Sequence, residues 1–213
     1  MSFIEDENVK PEAVGSEMAL KDEKVLQELL NGVLSKKDAV RYSSFKALNL
    51  LSEKHPERLY GKWDLFADLL TSDNTHQKYI AIYILANLAK VDSESKFEKI
   101  FDVYYGLLRD KSVIPPAHVA VNSGKIALAK PKLRAEITNR LLEIDKVVQR
   151  HRDLVKASAI EAFNVYFEES EDQERIIDFA KAQLQCESPK TRKIAKTFLN
   201  KWSKERRKES CRR

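Results

Sequence analysis

Residues that could do chemistry in this 213-residue chain are few and widely spaced. His151-Arg152-Asp153-Leu154 has the make-up of a phosphoryl-transfer catalytic loop, in which an aspartate takes the proton of an attacking hydroxyl. Such a loop needs an asparagine five residues after the aspartate to hold magnesium, and Ser158 stands there. Neither a glycine-rich loop nor a Val-Ala-Ile-Lys strand accompanies it. The string therefore reads as a charged turn with Asp153 near a helix start. Ser123-Gly124-Lys125 ends like a phosphate-binding loop, but Val119 and Ile126 replace the glycine and the hydroxyl which that loop requires. Gly124 is better read as a place where two helices approach closely.

Metal and nucleophile chemistry fare no better. His55, His76, His118 and His151 fall at helix ends or turns and form no His-x-x-x-His pair. Spacing alone builds no Ser/His/Asp or Cys/His constellation from them. Cys186 and Cys211 lack the Cys-x-x-Cys spacing of a zinc site. No metal, no cofactor and no catalytic residue is expected, and two cysteines without a framework suggest a reduced, cytoplasmic compartment. The acidic start has no basic cluster followed by an apolar run, so a signal peptide is not expected. The longest apolar stretch, 79–86, is far short of the ~20 residues that span a bilayer.

The elements that would position these residues are helices. Apolar side chains recur at three- and four-residue steps, as in Val25, Leu26, Leu29, Leu30, Val33 and Leu34. Gly and Pro total only 11 residues, too few for a many-turned β chain. The prolines fall between periodic segments or at their first turns, where a missing N–H is tolerated. Ser35-Lys-Lys-Asp38 and Ser170-Glu-Asp-Gln173 have capping-box spacing, and Ser188-Pro189 reads as an N-cap with proline at the first helical position. About ten helices of roughly 13–19 residues are expected from these signals.

The helices come in pairs, and the pairs repeat. The second members align as Arg41 to Leu48, Lys78 to Leu85, Lys156 to Phe163 and Arg192 to Leu199. Each opens with a base, carries a small residue at +3 (Ser44, Ala81, Ala159, Ala195) and a large apolar one at +7. A degenerate copy begins at His118. Consecutive starts lie 36 to 40 residues apart, which is a two-helix repeat period. The +3, +7 step keeps both residues on one face, and the small one admits a neighbouring helix. Ile80 to Ala86 is apolar all round, so its helix should be internal.

This pattern resembles the HEAT/armadillo-like family of α-helical repeats over residues ~19–205. The resemblance implies an all-α fold, an α-α superhelix (solenoid) of about five HEAT-like hairpins, with a concave surface lined by the second helices as its binding face. It departs from the family's pattern in lacking most first-helix prolines, in showing a turn acid only at Asp38, Asp73 and Asp110, and in placing His118 where a base belongs. An enzyme on a similar fold, a DNA glycosylase, uses tryptophans and a nearby aspartate. Here Trp63 adjoins Asp64 but is expected to pack between repeats, and Trp202 to seal the end of the stack.

Charge divides the functional readings. The chain carries +5 overall, and residues 201–213 hold seven basic and two acidic residues. The repeats themselves are balanced, and the first 24 residues hold seven acids and three lysines. The expected layout is a mobile acidic arm over 1–18, a repeat domain over 19–205 and a basic tail over 206–213. The expected function is a non-catalytic scaffold or adaptor that binds a protein partner. The base ladder Arg41, Lys78, His118, Lys156 and Arg192 is the candidate strip for that partner, set against internal pairing with Asp38 and Asp153. The alternative is nucleic-acid binding through the ladder and the basic residues Lys204, Arg206, Arg207, Lys208, Arg212 and Arg213. Lys193, Lys196, Lys204 and Arg207 lie opposite the apolar face of the last helix. They serve either as a solvated cap or as contacts for an anionic partner.

Overall fold

The computed structural model describes residues 10–148 and 150–210, with side chains described up to 203. The protein is all-α, and no strand occurs among the described residues. It divides into two compact units, Met1–Ser95 and Lys96–Arg213, where the sequence suggested one repeat domain.

In the first unit, α1 (Pro11–Lys21), α2 (Glu23–Val33), α3 (Asp38–Lys54), α4 (Pro56–Tyr60), α5 (Trp63–Leu69) and α6 (Thr75–Leu88) follow in order. The acidic arm expected over 1–18 is cut short by α1. Pro11 starts that helix, where its fixed φ suits the first turn, and Ser16 and Ala19 are buried as α1 packs on α3. Residues 1–9 lie outside the described residues. The small residue at +3 does what its size allows. A Cβ on Gly32 of α2 would sit 2.9 Å from Ser44 Cβ, so this helix pair is closer than ordinary side chains permit. α6 is the internal helix: Ile80, Ala81, Ile82, Ile84, Leu85 and Ala86 are all buried.

The second unit contains α7 (Lys96–Gly106), α8 (Ile114–Ala129), α9 (Arg134–Leu142), α10 (Ile144–Val147), α11 (Arg152–Tyr166), α12 (Gln173–Ala182) and α13 (Pro189–Ser210). α11 packs most extensively on α8 and then on α13. Gly124 sets the first contact. A Cβ there would meet the carbonyl oxygen of Ala162 at 3.0 Å and Cβ of Val165 at 3.0 Å. α13 is held by Phe198 and Trp202, whose rings meet Phe167 at 5.3 and 4.6 Å. Leu199, expected to be the large core residue of this copy, is only half-buried, and Phe198 fills the core instead.

Shorter pieces replace some of the expected 13–19-residue helices. The first helix of one pair breaks at Gly61-Lys62 into α4 and α5, where glycine lowers helix propensity. Another bends at Glu143 into α9 and α10, which seats Ile144 in the core.

Side-chain hydrogen bonds recur at one repeat period. In the first unit, Nδ2 of Asn87 donates to Asn49 (38 residues away) and to Ser52 (35 away), at 3.1 and 2.8 Å. Tyr60 donates to Asp92 at 2.7 Å, and burial followed by that carboxylate pushes its phenol up to about 12. In the second unit, Arg140 donates to Asp102 (38 away), Arg175 to Asn139 (36 away) and Trp202 to Asn164 (38 away). Within each unit, side chains 32 to 38 residues apart are therefore bonded together.

Candidate functional site

Of the base ladder, Arg41 and Lys156 are nearly enclosed and Arg192 is exposed, and all three bond to their own chain. Arg41 opens the second turn of α3, and its side chain is 7% exposed. One guanidinium nitrogen donates to the Ser35 carbonyl at 2.8 Å, six residues back, while the other pairs with Asp38. Arg192 repeats this geometry on α13, donating to the Cys186 carbonyl at 2.7 Å, again six residues back, and to the Glu187 carbonyl at 2.8 Å. In both cases the base ties the preceding turn to its helix, satisfying carbonyls that the turn leaves open.

Lys156 has a different local solution with the same outcome. Its side chain is 11% exposed and lies 3.0 Å from Asp145 and 3.4 Å from Asp153. Asp153 joins two helix starts. Its carboxylate accepts the Ser188 N–H at 3.3 Å, and its carbonyl accepts the Thr191 hydroxyl at 2.8 Å. The aspartate of the His151-Arg152-Asp153-Leu154 string is thus occupied by a lysine and a backbone donor. His151, next to it, is a left-handed residue (φ 53°) that turns the chain into α11. These residues line an open depression of about 1070 Å³ with Cys186 and Gln183.

The remaining rungs are mixed. Lys78 is half-buried. His118 is half-buried too, and burial pushes its imidazole pKa down, favouring the neutral form. The fold holds Arg41 and Lys78 in one unit and His118, Lys156 and Arg192 in the other. Lys204, Arg206, Arg207 and Lys208 fall in the last turns of α13, but their side chains lie outside the described residues, as do Arg212 and Arg213 altogether.

A turn signal missed in the sequence accompanies the ladder. Ser35, Ser72 and Ser112 each stand six residues before a ladder position. Each hydroxyl accepts the backbone N–H two residues on, at 3.1, 3.0 and 3.3 Å. Ser35 and Ser170 were expected as N-caps, but both bond within the turn instead, Ser170 to the Asp172 N–H at 3.2 Å. Ser188 does cap its helix, accepting the Thr191 N–H at 3.3 Å.

The tryptophans offer no open aromatic face. Trp63 is 2% exposed in the core of the first unit, while Asp64 points to solvent. Trp202 is 5% exposed, stacked on Phe167, covered by Lys201 Nζ at 4.0 Å and donating to Asn164 at 3.1 Å.

The unoccupied chemistry lies on α13. Lys190, Lys193 and Lys196 are exposed and form no ion pair with a described residue, while Lys201, also exposed, donates to Asn164 at 3.4 Å and lies over the Trp202 ring. Lys190, Lys193 and Lys201 rim a cavity of about 440 Å³ between α11 and α13, floored by Ile160, Ile194 and Phe198. Lys193 was visible from sequence as part of a polar face. Lys190 and Lys201 were not linked to it, because only the packing of α13 on α11 makes a groove. Among the described residues no three His, Cys, Asp or Glu side chains gather as a metal would require. No helix among them is long and apolar enough to cross a membrane.

No protein-family model matches the chain, and no curated protein matches it either. Among solved structures it is similar to the crystal structure of an engineered protein, at 18% identity and a TM-score of 0.46, with 89% of this chain and 87% of that one covered.

Proposed function

We propose that this protein is a HEAT-like α-solenoid scaffold, a non-catalytic adaptor that holds a protein partner on a surface formed by its second helices. The observation carrying this reading is the set of side-chain hydrogen bonds spaced one repeat apart in both units, such as Asn87 with Asn49 and Trp202 with Asn164. Bonds of this kind lock one helix pair to the next, and a surface ordered before binding lowers the entropy lost on association. The ladder supports the same reading where Arg41 and Arg192 brace the turns that precede their helices. The cytoplasm suits a chain with two unframed cysteines.

The alternative, nucleic-acid binding, draws on the exposed lysines of α13. Affinity capture with the full-length chain, with and without nuclease, separates the two. A scaffold retains specific protein partners after nuclease treatment. If all captured protein is released by nuclease, the scaffold reading is wrong. Gel shifts over a salt series then report the phosphate contacts directly.

A further inference from the structure

We infer that the groove between α11 and α13 docks a short acidic segment of a partner protein, a segment with several carboxylates around one apolar anchor. This rests on the scaffold reading above and names the chemistry of its partner.

The sequence places Lys190, Lys193, Ile194, Thr197, Phe198 and Lys201 on one face of α13, at steps of three, four, seven, eight and eleven residues. α11 supplies Ile160, Glu161 and Asn164 as the facing wall. The rim therefore sets the open ammonium groups of Lys190 and Lys193, and that of Lys201, which donates to Asn164 at 3.4 Å, against one carboxylate, and the floor is apolar. Three bases of the ladder, Arg41, Lys156 and Arg192, satisfy a carbonyl or a carboxylate of their own chain. Lys190 and Lys193 have no such partner among the described residues and stand in water, ready to exchange solvent for a carboxylate. The volume of about 440 Å³ is enough to take one large apolar side chain. From Lys190 to Lys201 the face runs about 16 Å, the reach of roughly five extended residues or three helical turns.

Two features select a peptide over a nucleic acid strand. The apolar floor has no use for a phosphate backbone, but it suits a leucine or phenylalanine. Single-strand binding needs open aromatic faces for bases to stack on, and the nearest ring, Trp202, is already covered by Phe167 and Lys201.

The test is fluorescence anisotropy on the full-length protein. The probe is a labelled twelve-residue peptide carrying five glutamates around one leucine and one phenylalanine. Controls are the same peptide with glutamine for glutamate, the same peptide with alanine for its two apolar residues, and a twelve-nucleotide single strand. The Lys190→Glu/Lys193→Glu variant removes the rim charge at exposed positions. A Lys36→Glu/Lys37→Glu variant makes the same charge change at exposed positions of the other unit. The expected result is binding that weakens at least tenfold with the groove variant and with each altered peptide, and less than twofold with the control variant. Equal loss from both variants, no peptide binding up to about 1 mM, or tighter binding of the oligonucleotide overturns the inference. If the peptide fails while nuclease-resistant partners are still captured by the groove variant, the groove is wrong and the scaffold reading survives. If capture is abolished by nuclease, both fall.

Discussion

The ladder bases and the α13 lysines share residue type and helix location, yet the fold uses them in opposite ways. Arg41 and Lys156 are nearly enclosed and matched to a carbonyl or carboxylate within a few ångströms. Lys190 and Lys193 are exposed and unmatched among the described residues. The difference lies in where each stands on its helix. A base on the face nearest the preceding turn meets that turn's open carbonyls and acids. A base one position away meets solvent or the groove. Charge on this helical protein is thus a poor guide to a binding surface until internal pairing is subtracted.

That contrast can be broken by mutation. Lys156→Glu should have the largest effect, since it sets a third carboxylate beside Asp145 and Asp153 in a site 11% exposed. A loss of about 4 kcal/mol in denaturant unfolding is expected, or failure to fold. A stable variant would show that the enclosure is not real. Arg41→Ala should cost less, about 1–3 kcal/mol, because the orphaned partner is the Ser35 carbonyl and Asp38 remains 85% exposed. Paired removal of Asp38 should add little.

His118 tests the one titrating rung. Burial lowers its folded pKa below the ordinary value of 6.5, so the unfolded chain takes up a proton that the folded chain resists. Its contribution is fully present above pH 6.5 and is lost as pH falls towards the lowered folded value. His118→Gln should flatten stability against pH in that window, as read from unfolding midpoints at stepped pH. An unchanged slope would mean that His118 is not the group responsible. The smallest stability effect belongs to Lys190→Glu/Lys193→Glu, expected within about 0.5 kcal/mol of the parent. A large loss there would move these lysines into the architectural class and erase the contrast.

Much of the architecture is legible in the linear pattern. The 36–40-residue period, the internal character of Ile80 to Ala86 and the close packing at Gly124 can all be read from residue type and spacing, because helical periodicity is local. The α1 helix was missed because acidic residues and weak amphipathicity hide it, and its stability comes from packing on α3. The Ser35, Ser72 and Ser112 turns were in plain view at the repeat spacing. Ser35 has the spacing of an N-cap, but its hydroxyl, like those of Ser72 and Ser112, accepts the N–H two residues on, which turn geometry decides. The choice between a binding ladder and a bracing ladder was posed correctly by Asp38 and Asp153, three residues before Arg41 and Lys156, but spacing cannot show enclosure.

By itself, then, the sequence determined that the chain is helical and where a base recurs at 36–40-residue spacing, with His118 as the exception, since these depend on neighbours within a few residues. Only the tertiary structure decided that Arg41, Lys156 and Arg192 meet carbonyls or carboxylates of their own chain while Lys190 and Lys193 stand exposed. It also made a groove of Lys190, Lys193 and Lys201 by laying α13 against α11. A helix's rotation about its own axis is set by the side chains it meets across 30 to 40 residues of chain, such as Asn164 with Trp202, and that rotation separates a brace from a binding surface.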